Sequence, residues 1–171
     1  MSLDHYKSWS SLNKWLGECL CDELKDRITY FLTQYHKVHN SYGRAAIRLD
    51  GKELVCFSWI ERCRQEYDVS EKHLEDPSLK FDEIYDAMKA KWDGAGTYCE
   101  MDFLDAVLHF RNLSIPDALN SDDYLIRILA ILDQRVGKRT LRKISESGDY
   151  RILPQWARQF YELRLSVEKI V

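Results

Sequence analysis

A chain of 171 residues, 45% hydrophobic and 31% charged, is long enough to bury one substantial core and too short for two comfortable ones. That balance excludes a disordered chain. A formal net charge of -3 excludes any global attraction to nucleic acid or anionic lipid, so polyanion binding would need a local patch.

The first thirty residues interleave Asp4, His5, Lys7, Asn13, Lys14, Glu18 and Asp22 with apolar positions, which leaves no signal-type apolar stretch. No run approaches the roughly 18 apolar residues needed to span a bilayer. Five cysteines, Cys19, Cys21, Cys56, Cys63 and Cys99, form an odd set without framework spacing and fit reduced thiols. These features predict a soluble, cytoplasmic, single α+β domain over residues 1–171.

Ser10 or Ser11 is placed to cap a first helix in which Leu12, Trp15, Leu16, Cys19 and Leu20 recur at helical spacing, ending near Glu23 or Leu24. Residues 28–35 are rich in β-branched and aromatic side chains and read as a first strand, followed by a polar turn from His39 to Gly43. Residues 44–49 alternate in period two. Asp50-Gly51 then supplies the positive-φ pair of a two-residue hairpin turn before a third strand over residues 53–58. The alternation assigns Ala45, Ile47 and Leu49 to the core face and Arg44, Arg48 and Asp50 to the other.

Beyond the sheet the pattern is helical. A short helix is expected over residues 59–66 and a polar connection over 69–78, then a helix over 79–92 carrying Phe81, Ile84, Tyr85 and Met88. Asp93-Gly94-Ala95-Gly96 reads as a breaker and flexible joint. Phe103, Ala106, Val107 and Phe110 define the next helix, with Glu100, Asp102 and Asp105 near its positive end. Pro116 opens a short helical turn.

Residues 124–132 are apolar on almost every side, so this segment is expected to be enclosed by protein at the centre of the fold. Asn120 or Ser121 is placed to start it, and Gly137 to terminate it. A cationic helix follows over residues 138–145. Pro154 opens a last helix whose stripe is Trp156, Phe160, Leu163, Val167 and Ile170.

Chemistry-bearing motifs are few. Gly137-Lys138 with Thr140 resembles a phosphate loop only in part, because Leu132 and Arg139 stand where that motif needs a glycine and a hydroxyl. What remains is a basic cluster of Arg135, Lys138, Arg139, Arg142, Lys143 and Arg151 against Glu146 and Asp149, with Lys138 and Arg142 one helical turn apart, as are Arg139 and Lys143. Against docking of a polyanion stands the plainer reading of solvated cations at a helix end. His36, His39, Cys19 and Cys21 offer zinc-type ligands at poor spacing, and no metal or cofactor is expected. His36 beside Arg44 and Arg48, with Asp50 or Glu53 as acid, outlines a small-nuclease arrangement that turn chemistry explains equally well.

No nucleophile elbow or glycine-rich dinucleotide fingerprint is present, and no catalytic residue is assigned. Five tryptophans and ten tyrosines suit either an interface or an aromatic core.

Gly43-Arg44-Ala45-Ala46-Ile47-Arg48, Asp50-Gly51-Lys52-Glu53, Ala118-Leu119-Asn120-Ser121-Asp122, the run from Leu132 to Leu141, and Trp156 with Phe160-Tyr161 and Arg164 together resemble a family of small bacterial proteins of unknown function. Some members of that family carry a nonribosomal-peptide-synthetase label. This chain lacks the carrier and adenylation motifs such a function requires. The resemblance implies a bacterial intracellular protein and carries no catalytic residues.

The expected architecture is a three-stranded antiparallel meander near the N-terminus packed against a mainly α-helical C-terminal half. The expected function is a noncatalytic protein-interaction module, of antitoxin or immunity kind, whose partner is another protein. The alternative is a nucleic-acid-binding protein or small nuclease. The binding residues in view are Arg44, Arg48, Arg135, Lys138, Arg139, Arg142 and Lys143.

Overall fold

A computed structural model describes residues 8–34 and 43–170. In chain order these form α1 (Trp9–Cys19), β1 (Ile28–Gln34), β2 (Gly43–Leu49), β3 (Lys52–Ser58), α2 (Trp59–Glu75), α3 (Phe81–Ala95), α4 (Glu100–Phe110), α5 (Ile115–Leu119), α6 (Tyr124–Leu132), α7 (Lys138–Ser147), a 3-10 turn (Asp149–Ile152) and α8 (Gln155–Val167). This is the expected α+β architecture.

The strands pair antiparallel in the order β1-β2-β3. Asp50 and Gly51 adopt φ of 50° and 82°, the left-handed pair that the hairpin turn demands. Arg27 grips the Asp50 carboxylate through Nε at 3.0 Å and Nη2 at 2.7 Å, tying the turn to the foot of β1. Register shifts between Ile47 and Arg48, so Ile47 faces Val55 while Arg48 faces Glu53. The period-two alternation holds on the inner face, where Ala45 and Ile47 are buried and Leu49 is half-buried. Ala46 departs from it: this small residue on the outer face is fully covered. Tyr35 and the turn from His39 to Tyr42 lie outside the described residues.

One large core joins the inner face of the sheet to α1, α4, α6 and α8. Within α6, Leu125, Ile126, Ile128, Leu129, Ala130, Ile131 and Leu132 are all buried, as an all-round apolar helix requires. Its start is built by Asp123, whose Oδ1 accepts the Leu125 amide at 2.8 Å.

Its end differs from expectation: α6 stops at Leu132, and Gly137 has φ of -75° and caps the start of α7 instead. Asp133 causes the early exit. Its buried carboxylate accepts the Arg135 amide at 2.8 Å and both arms of the Arg135 guanidinium, at 3.0 and 2.8 Å, which turns the chain outward. The end of α1 is stitched to the same point, Cys21 donating to the Leu132 carbonyl at 3.1 Å and Gln134 to Cys19 at 2.8 Å. That stitching also explains why α1 ends at Cys19, short of Glu23.

A second difference concerns α2. It runs unbroken to Glu75, through residues read as a polar connection, because Val69 packs with Ile84 and Trp92 of α3 in a small core of their own. Likewise Asp93, Gly94 and Ala95 stay helical. The chain turns only at Gly96, with φ of 70°, where an added Cβ would lie 3.0 Å from the Trp156 ring. Trp156 Nε1 donates to the Asp93 carbonyl at 2.9 Å, so a tryptophan from α8 pins the foot of the α2–α3 hairpin.

The stripe of α8 is also offset. Its fully buried positions are Ala157, Phe160, Tyr161, Arg164 and Leu165, whereas Trp156, Leu163 and Val167 flank the core.

Candidate functional site

The cationic residues singled out by sequence fall into two groups on different elements. On the outer sheet face, Arg44 and Arg48 share the Glu53 carboxylate; Arg44 Nη2 bonds Oε2, and Arg48 Nη2 reaches Oε1 at 3.1 Å. Hydrogen bonding from Arg44, above all, holds the Glu53 carboxyl below its usual value. Both guanidinium groups also stack over Phe31, with Arg48 4.5 Å from the ring centroid. The hairpin register itself signals this arrangement, since it sets Glu53 opposite Arg48.

Elsewhere, Arg135 serves Asp133, and Lys138 lies 3.6 Å from the nearly buried Glu168. Glu168 also binds the buried Arg164 of α8. Arg139, Arg142 and Lys143 are exposed on α7 with no hydrogen bond or ion pair to any described residue, while Leu141 is buried beneath them. Positions 139, 142 and 143 share one face of α7. β2 packs on β1, β3 and α4, whereas α7 packs on the 3-10 turn, so the two cationic groups have no main packing partner in common.

The larger surface feature is one that sequence did not single out. Six large apolar side chains are markedly exposed among the described residues, and five of them, Ile60, Tyr67, Leu74, Leu79 and Phe81, belong to the α2–α3 hairpin. Leu74 is 80% exposed and Tyr67 67%. This hairpin is an arm: its helices pack mainly on each other, and only its base reaches the main core. Residues 59–95 hold ten acidic and six basic side chains, making the arm more negative than the chain as a whole. Between its helices runs a groove of about 460 Å³ walled by Ile60, Tyr67 and Trp92.

At the foot of the arm, a second hollow of about 400 Å³ is lined by Asp93, Asp102, Asp105, Asp122 and Asp123. Lys89 is paired with Asp93 at 2.6 Å, and the Tyr98 hydroxyl donates to the same carboxylate at 3.0 Å. Burial raises the Asp123 carboxyl above its usual value, opposed by the amides of Leu125 and Ile126 and by Lys89. Gln65 lines both hollows. It is buried, its Nε2 donates to the Thr97 carbonyl, and its Oε1 lacks a partner. A buried acceptor without a donor, beside five carboxylates, suits a cationic group. Gln65 and Val69, one helical turn apart, mark this inner stripe, and the polar Gln65 gives no apolar periodicity by which sequence could have found it.

The remaining chemistry is structural. Burial pushes the Cys19 thiol up to about 11 and Cys99 to about 12, and raises Cys21, which keeps these three cysteines protonated at neutral pH. Cys21, Glu23 and Glu168 bring ligand-type atoms within 4.8 Å of one another. Arg164 lies between the two carboxylates, bonded to Glu168 and 3.9 Å from Glu23, so the cluster reads as an ion network. His36 and His39 lie outside the described residues, and Asp50 is committed to Arg27. No described helix is long and apolar enough to cross a membrane.

These features define a class: an α+β protein whose three-stranded meander and buried central helix support a projecting, acidic, partly apolar helical arm. The SF0329 protein family matches residues 8–165, and the chain belongs to that family. No curated protein and no solved structure matches it.

Proposed function

We propose that this protein is a noncatalytic protein-binding module whose arm receives a partner with an apolar surface rimmed by basic side chains. The observation that carries the reading is the concentration of exposed Ile60, Tyr67, Leu74, Leu79 and Phe81 on one acidic hairpin. Desolvating those side chains supplies the favourable term, and the acidic excess selects partners of opposite charge. A lysine or arginine of the partner entering the hollow at the arm's foot would meet Gln65 Oε1 and the aspartates. Neutralisation of a toxin inside a bacterial cytoplasm is one role of this kind.

The test is affinity capture from the native cell with three forms of the full chain. Wild type and an Arg139→Glu/Arg142→Glu variant are expected to retain the same basic protein partner, and a Tyr67→Ser/Leu74→Ser variant to lose it. Loss with the α7 variant and retention with the arm variant would overturn the proposal.

A second reading, nucleic-acid binding, is favoured by the three exposed cations of α7. It requires RNA or DNA retention that falls steeply with salt and disappears in a Lys138→Glu/Arg142→Glu variant. Glu53 engages both Arg44 and Arg48 and offsets one of their two charges, which weakens the outer sheet face as part of such a surface.

A further inference from the structure

Arg127 is the one charged side chain in α6, set among residues that are otherwise apolar apart from Tyr124. It is half-buried, and its Nε is enclosed without a hydrogen-bond partner. Across the contact between α6 and α8 stands Tyr161, 3% exposed, whose hydroxyl also lacks a hydrogen-bond partner. Burial raises the Tyr161 phenol above its usual value, and the Arg127 guanidinium beside the hydroxyl opposes that rise. A protein interior rarely leaves two such donors idle. A guanidinium Nε and a phenol hydroxyl enclosed without a partner each carry a desolvation cost that a bound acceptor would relieve.

Both residues line a cavity of about 290 Å³ enclosed by α5, α6, α7, the 3-10 turn and α8. Its other walls include Ile115, Leu119 and Ile144. We infer that this cavity binds the carboxylate of a small monoanionic organic acid, with the carboxylate bridging Arg127 and Tyr161 and the apolar body lying against Ile115, Leu119 and Ile144.

Charge and size select that class. One guanidinium matches one negative charge in a planar fork. Asp149 lines the same cavity, so a phosphate dianion would bring a second, unbalanced charge towards a carboxylate. The volume is at the lower end of ligand sites, which run from roughly 300 to 1,000 Å³. This inference is independent of the arm and of its partner.

The experiment titrates the full chain with benzoate, isovalerate and hydrocinnamate, and with benzyl alcohol and inorganic phosphate as comparators. Thermal unfolding and the arginine Nε–H resonance of Arg127 are the readouts. At least one carboxylate is expected to raise the melting temperature saturably and to move that resonance, while benzyl alcohol and phosphate do neither. Tyr161→Phe should weaken binding about tenfold or more, as loss of a hydrogen bond to a charged group does. Arg127→Met should abolish it. Without ligand, neither variant should melt below wild type, because each removes a polar atom enclosed without a partner. No response to any of the three acids would overturn the inference, and so would an equal response in Arg127→Met. A response to phosphate alone would overturn the monocarboxylate assignment. Should Arg127→Met fail to fold, Tyr161→Phe and the resonance decide.

Discussion

The central helix and the arm solve the same problem in opposite ways. α6 hides seven of its nine residues and gives the main core its axis. Over two longer helices, by contrast, the described residues of the arm bury only Gln65, Val69, Ile84 and Trp92 and leave large apolar side chains in water. In α6, hydrophobicity is spent on folding. In the arm, a single thin stripe holds two helices together, and the rest of the apolar surface remains for a partner. Sensitivity to substitution should divide along the same line.

The sharpest way to break that comparison is to truncate one residue on each side. Ile128 is fully enclosed, and Ile128→Ala should lower unfolding free energy by about 2–5 kcal/mol through lost burial and a residual cavity. Leu74→Ser, at an exposed position on α2, should stay within about 0.5 kcal/mol of wild type. Urea unfolding of both variants checks this. Amide exchange offers a parallel measure, since arm amides should open at lower free energy than those of α6. Equal protection in the two regions would show that the arm is part of the main cooperative unit.

The hinge between the regions comes next in size. Gly96 combines a left-handed φ with a Cβ position already occupied by Trp156, so Gly96→Ala should cost about 1–3 kcal/mol. An unchanged melting curve would mean that the arm's foot is less firmly seated than the Trp156–Asp93 hydrogen bond suggests.

How much of this was legible depends on how local the cause is. The β2–β3 turn was readable because Asp50-Gly51 carries its own conformational requirement. The burial of α6 was readable because no face of that sequence could be left in water. By contrast, the length of α2 was hidden, since Val69 is apolar by design only when Ile84 and Trp92 are across from it. Gly137 misled because a glycine after a helix can end one element or begin the next, and Asp133 had already ended α6. Arg127 and Arg164 were beyond reach for the same reason as each other: an arginine in an amphipathic pattern normally reads as exposed, and only packing across the fold encloses it.

Asp123 tests the boundary where the acidic hollow meets the start of α6. A carboxyl whose folded value lies above its unfolded one holds its proton more tightly in the fold, so it favours folding at low pH. That contribution is lost as pH rises through the folded value. Asp123→Asn keeps a side-chain oxygen for the Leu125 amide but carries no charge. The stability of the variant relative to wild type should therefore improve as pH rises from about 4 upward. A difference independent of pH would refute the raised value and with it the enclosed character of the hollow.

The smallest effect belongs to the outer sheet face. Glu53 is about a third exposed and holds two arginines that also rest on Phe31, so Glu53→Gln should cost only about 0.2–1 kcal/mol, less in high salt. Its second consequence is more informative. Removing the shared carboxylate leaves Arg44 and Arg48 as free cations on a flat, aromatic-bearing surface, and retention of the variant on a polyanion column should rise above wild type. If retention is unchanged while Arg139→Glu lowers it, α7 alone carries the positive face of the molecule; if both respond, the sheet is a second cationic surface that Glu53 holds in check.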